Sequence, residues 1–128
     1  MSDINEAMIF SAGFGKRMHP LSTKVPKPLL KVNGKPIISY IIEDLINLNF
    51  KNIVINTHHL SDKFHDELKP YSNIVKIVFE EEILDTGGGF LNAIKRNYFY
   101  NIKSPKVLIN GDVLWKKTVN SPIKNILR

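Results

Sequence analysis

The sequence predicts an α/β protein whose mostly parallel sheet is covered by helices on both faces. Three observations carry that expectation. Short apolar runs alternate with stretches of helical periodicity along the chain. The runs are apolar at consecutive positions, as buried parallel strands are. The segments that follow them are rich in glycine and charge, and in open parallel sheets ligands bind beyond the carboxyl ends of the strands. With 128 residues, 43% of them hydrophobic and 23% charged, the chain suits one domain able to bury a core.

Ala7-Met8-Ile9-Phe10, ended by Gly13, reads as the first strand. Pro36 suits a first helical turn, and Ile38, Ile41, Ile42, Leu45, Ile46 and Leu48 repeat at helical spacing behind it. Asn52 to Thr57 is the second strand. Leu60, Phe64 and Leu68 mark a helix ended by Pro70, and Ile74 to Phe79 is the third strand. Thr86 is expected to cap a helix running from about Gly88 to Tyr98, and Val107-Leu108-Ile109 forms a fourth strand before Asn110-Gly111-Asp112. Ser121-Pro122 starts a last helical stripe, Ile123, Ile126 and Leu127, with no C-cap before Arg128, so the chain is expected to stop inside an element.

Composition removes several function classes. The chain contains no cysteine, which excludes disulfides, thiolate metal sites and cysteine nucleophiles. It has no apolar run of about 18 residues and no signal peptide at Met1 to Glu6, so a cytoplasmic location away from membranes is expected. Its formal net charge of +6 suggests an anionic partner, yet no nucleic-acid recognition motif is present. Charge is also uneven. Basic residues dominate the first 36 positions, whereas Glu80, Glu81, Glu82 and Asp85 form an acidic cluster; Glu80 to Glu82 read as a solvated surface. His58, His59 and His65 lack a zinc spacing, and His19 has no evident partner.

The stretch SAGFGKRMHPLSTKVPKPLL, Ser11 to Leu30, concentrates glycine, proline and cations. It is not a Walker loop, because one residue separates Gly13 from Gly15 and Arg17 follows Lys16. It is not a dinucleotide fingerprint either, since Met18 stands where a third glycine or alanine belongs. What remains is physical. Glycines let backbone N–H groups approach an anion, and Lys16, Arg17 and Lys27 can donate charge-assisted hydrogen bonds to phosphate. Thr86 to Gly89 and Asn110-Gly111-Asp112 are predicted at the same end of the sheet.

Read from Ala12 to Leu29, A-G-x-G-x-R-M-x-P-L-[ST]-x-x-x-P-K-P-L fixes about a dozen positions and resembles the signature of the sugar-phosphate nucleotidyltransferases. The resemblance continues through Val32-Asn33-Gly34-Lys35-Pro36-Ile37-Ile38, Asp85-Thr86-Gly87-Gly88-Gly89 and Asn110-Gly111-Asp112. It is nearest to the branch of N-acetylmuramate-1-phosphate uridylyltransferases and mannose-1-phosphate guanylyltransferases. Phe10-Ser11 stands where that family usually has Leu-Ala, and Ser22 replaces a common Thr.

This resemblance implies a Rossmann-like three-layer sandwich and a reaction in which a sugar-1-phosphate attacks the α-phosphorus of UTP or GTP, releasing pyrophosphate, in cell-wall or polysaccharide precursor metabolism. By the same resemblance Ala12, Gly13, Gly15 and Lys16 would lie against the nucleotide, with Thr86, Gly87, Gly88 and Asn110. Arg17 would hold the β- and γ-phosphates, and Lys27 would reach the reacting phosphate, its backbone restricted by Pro26 and Pro28. Asp112 would ligate Mg²⁺, which prefers carboxylate and phosphate oxygens. Family members run well past 128 residues. Residues 1–128 are therefore expected to be the N-terminal nucleotide-binding portion of one domain, with a second magnesium carboxylate and most sugar contacts in a missing C-terminal half.

Overall fold

In the computed structural model, which describes residues 4–12, 25–58 and 60–111, the first strand, β1, is Glu6–Phe10. A one-turn 3₁₀ helix follows at Lys27–Leu29, then a hairpin of β2, Lys31–Val32, and β3, Lys35–Pro36. Its two-residue turn is Asn33-Gly34, whose φ values of 54° and 78° are the left-handed pair that a tight hairpin requires. Pro36, at φ −55° and ψ 142°, is the N-cap of α1, Ile37–Asn47, one residue earlier than a first-turn proline. Then come β4, Asn52–Thr57; α2, Ser61–Glu67; β5, Val75–Phe79; α3, Thr86–Lys95; and β6, Lys106–Asn110. Asn49 and Asn97, just past α1 and α3, take φ of 66° and 62° and stop each helix as a left-handed residue after the C-cap does.

β1, β4, β5 and β6 form one wholly parallel sheet in the order β5-β4-β1-β6. Alternation along the strands divides two cores. Ala7, Ile9, Ile53 and Ile55 meet Ile38, Ile41, Ile42 and Leu45 of α1 and Phe64 of α2 on one face. Met8, Val54 and Val78 meet Ala93 of α3 and Phe99 on the other. The three layers expected from sequence are therefore present. All six residues of β4 are buried, because the strand is flanked on both edges and covered on both faces.

The α3 face also carries polar side chains at both ends of its strands. At the amino ends, Glu6 is 1% exposed. Its carboxylate accepts from Asn52 Nδ2 at 2.7 Å and from the backbone N–H groups of Tyr100 and Asn101 at 2.7 and 3.2 Å, with Lys106 Nζ at 3.5 Å. Burial pushes its pKa up, but the Asn52 amide, the two N–H groups and the lysine together hold it below the ordinary value. This cluster fastens the connection between α3 and β6.

The chain moves outward from β1 through β4 to β5, then returns with α3 to place β6 on the far side of β1. That reversal falls between β1 and β6, and a crevice lies there at the carboxyl ends of the strands. Among the described residues no helix is long and apolar enough to cross a membrane. The helix expected from Ser121-Pro122 lies outside the described residues.

Candidate functional site

The crevice is a cavity of about 470 Å³ at the carboxyl ends of the sheet. Phe10, Ser11 and Ala12 leave β1 along its floor, Asn56 rises from β4, and Asn110 ends β6. Lys27 and Pro28 enter from the 3₁₀ turn, and Ile83, Leu84, Asp85 and Thr86 supply the wall leading into α3. The walls differ in character. One carries the Lys27 ammonium, and the other carries apolar Ile83 and Leu84 with the Asp85 carboxylate. An anion is therefore favoured near Lys27 and disfavoured near Asp85, while the apolar pair suits a flat uncharged group.

Of the residues singled out from sequence, Ala12, Lys27, Thr86 and Asn110 line this one cavity, although they come from four separate segments. Pro26 is extended at φ −56° and ψ 142°, and Pro28 lies in the 3₁₀ turn, so Lys27 stands on a backbone with little freedom. Gly87 and Gly88 belong to the first turn of α3 rather than to a free loop. Gly13, Gly15, Lys16, Arg17 and Asp112 lie outside the described residues, as do His19 and His59.

Two expectations need correction. The N-cap of α3 is Asp85, not Thr86. Asp85 is extended at φ −68° and ψ 176°, and its Oδ1 accepts from Gly88 N at 2.5 Å, three residues into the helix. The helix accordingly begins at Thr86 and ends at Lys95, three residues short of Tyr98. Glu80 is also not a solvated residue like its exposed neighbours Glu81 and Glu82; it is 3% exposed. Its position one residue past β5 turns its side chain onto the α3 face, under the helix.

There Glu80 meets Asn56, which sequence reading had assigned only to a strand. Asn56 Oδ1 accepts from Ser11 N at 2.8 Å, and its Nδ2 donates to Glu80 Oε2 at 3.0 Å. Glu80 Oε1 accepts from Leu84 N at 3.4 Å, and its carbonyl accepts from His58 Nδ1 at 2.7 Å. The signal was available: a polar residue at an inward position of an otherwise apolar strand requires a buried partner. The partner's identity was not available, because it lies 24 residues away.

Two glycines are set by this packing. A Cβ on Gly89 would lie 3.1 Å from both Asn56 Nδ2 and Glu80 Oε2, so glycine lets α3 rest directly on the pair. A Cβ on Gly111 would come within 2.4 Å of Ser11 Oγ and 3.2 Å of the Phe10 carbonyl, where the exits of β6 and β1 touch. Among the described residues no group of three or more histidine, aspartate or glutamate side chains is placed to hold a metal ion.

Comparison with known proteins agrees with this fold. Residues 6–127 match the family model for nucleotidyl transferases. The N-acetylmuramate alpha-1-phosphate uridylyltransferase of Neisseria meningitidis serogroup B is 39% identical over 113 residues, covering 85% of this chain and 47% of that protein. The bifunctional protein GlmU of Methanococcus maripaludis is 33% identical over 115 residues, 90% of this chain and 26% of the relative. Among solved structures, HddC from Yersinia pseudotuberculosis complexed with GMP-PN superposes with a TM-score of 0.70 at 29% identity, covering 85% of this chain and 48% of that one. A UDP-glucose pyrophosphorylase at 20% identity shares the fold with a TM-score of 0.78. The chain spans about half the length or less of the relatives it matches.

Proposed function

The chain belongs to the nucleotidyl transferase family, and from that premise we propose that its cavity serves transfer of a nucleoside monophosphate from UTP or GTP to a sugar-1-phosphate. A phosphate oxygen of the sugar-1-phosphate bonds to the α-phosphorus, the bond from that phosphorus to the bridging oxygen breaks, and pyrophosphate leaves with the electron pair. Both reactants are anions. The protein's tasks are to offset their repulsion, align them and stabilise the departing charge.

One observation carries the reading: Lys27, Ala12, Thr86 and Asn110 converge on one cavity at the point where the strand order reverses. The base would lie along Ile83, Leu84 and the start of α3, where Gly87 and Gly88 keep the backbone accessible and Asp85 repels phosphate. The phosphates would lie toward Lys27, with Gly13, Gly15 and Lys16 supplying further donors and Arg17 a planar fork for the leaving pyrophosphate. Magnesium is the cofactor that the family implies. Asp112, directly after Gly111 in the sequence, would be its carboxylate ligand, with phosphates and water completing its shell. Bound there, the ion would neutralise charge on the reacting phosphates.

The product, a nucleoside diphosphate sugar, suits a cytoplasmic step that supplies cell-wall or polysaccharide synthesis. The test follows pyrophosphate release from UTP and from GTP with a panel of sugar-1-phosphates. Lys27→Ala is expected to slow transfer by about 100-fold, and an unchanged rate would refute its role. A second reading is nucleotide binding without transfer, as an N-terminal nucleotide-binding portion of one domain. Calorimetric binding of UTP or GTP with no pyrophosphate released would select it.

A further inference from the structure

The proposed chemistry makes no use of Asn56 and Glu80, yet this buried pair touches both segments that wall the cavity. The backbone ladders already fix the three strands beside it, pairing Phe10 with Asn56 and Asn56 with Val78. The side-chain bonds reach beyond those ladders. One goes to Ser11 N, where the chain leaves β1 for the glycine loop, and another receives Leu84 N, just before the Asp85 cap of α3. Both Ser11 and Leu84 line the cavity.

The polarity of the network is determined throughout. A backbone N–H can only donate, so Ser11 fixes the amide oxygen of Asn56 toward β1. The amide nitrogen must then face Glu80. Both oxygens of Glu80 serve as acceptors, one for Asn56 and one for Leu84, a duty that the two oxygens of a carboxyl group meet and an amide cannot. Gly89 closes the pair from above, 3.1 Å from each bonded atom on the position of an added Cβ.

We infer that Asn56 and Glu80 are positioning residues that hold the Ser11–Ala12 and Leu84–Asp85 walls of the nucleotide cavity at a fixed separation. The inference rests on the nucleotidyl transfer reading above. Neither side chain is assigned a contact with substrate; each acts through the backbone it holds.

Exchanging the two polar groups supplies the test. Asn56→Asp alone sets two carboxylate oxygens against each other across the 3.0 Å contact. Glu80→Gln alone leaves a donor facing a donor at either Asn56 or Leu84. Together the substitutions restore every bond with one polarity reversed: the aspartate accepts from Ser11 N and from the glutamine amide, whose oxygen accepts from Leu84 N. Binding of UTP and of GTP is measured by calorimetry with magnesium chloride, beside the melting temperature of each variant.

Each single substitution is expected to weaken nucleotide binding by about tenfold, and the double variant to return within about threefold of wild type. Should Asn56→Asp fail to fold, Glu80→Gln and the double variant carry the comparison. Single variants that melt lower but bind as wild type overturn the positioning role, as does a double variant that regains its melting temperature without its affinity. Wild-type protein that binds neither nucleotide overturns the functional reading itself, and this inference with it.

Discussion

Replacing Gly89 with alanine isolates the fit between α3 and the buried polar pair. The added methyl would lie 3.1 Å from Asn56 Nδ2, 3.1 Å from Glu80 Oε2 and 3.5 Å from Phe10 Cε1. Both polar atoms are engaged with each other, so neither can retreat without lengthening a hydrogen bond to a carboxylate. Overpacking of this kind costs about 1–3 kcal/mol. Alanine's helix propensity returns about 1 kcal/mol, leaving a net loss of up to roughly 2 kcal/mol. Gly87→Ala is the matched control in the same helical turn. Its nearest neighbour, Asp85 Oδ1, is 3.7 Å away, an ordinary contact, so only the propensity gain of about 0.5–1 kcal/mol remains. Urea unfolding of the two variants should separate their midpoints in opposite directions from wild type. A Gly89→Ala protein as stable as Gly87→Ala would refute the claim that glycine is required there by close packing.

Three further outcomes are expected. Asp85→Ala removes the cap bond to Gly88 N and should cost about 1 kcal/mol in thermal or urea unfolding, while Asp85→Asn, which keeps an acceptor oxygen, should retain most of the stability. The pKa of Glu6 is held below its ordinary value of 4.5, so the unfolded chain binds its proton more readily. Stability from Glu6 is therefore complete above that value and falls as pH drops below it, and Glu6→Gln should flatten a stability profile recorded between pH 6 and 3 on the order of one titrating group. Arg17→Ala and Asp112→Ala should each reduce pyrophosphate release by about 100-fold while leaving the far-UV circular dichroism unchanged, and retention of normal rates would remove those residues from the proposed site.

Asp85 and Lys27 have a joint consequence for ligand orientation. They line one cavity, with opposite charge on different segments. In the proposed reaction a triphosphate would gain near Lys27 and lose near Asp85, so the pair would orient the ligand as well as hold it. The same carboxylate caps α3 through Gly88 N, which ties the sign of that wall to the stability of the helix that forms it.

The strands were legible because a buried parallel strand must be apolar at consecutive positions, as Ala7 to Phe10 and Asn52 to Thr57 nearly are. Helix α1 was legible because its one buried stripe repeats at 3.6 residues. Lys27, Ala12, Thr86 and Asn110 could be singled out because they stand in motifs that resemble the family's signature, and the fold brings all four to one cavity. Tertiary structure decided what local patterns cannot contain. Asp85 rather than Thr86 caps α3, because the cap depends on which residue is extended where the chain turns in from β5. Glu80 is buried although Glu81 and Glu82 are exposed, because only Glu80 turns beneath α3. Asn56 finds partners 45 residues before it at Ser11 and 24 after it at Glu80. A hydrogen bond between residues so far apart exists only once the sheet has set its strand order, so the chain's sequence named the chemistry while the fold chose which side chains hold it in place.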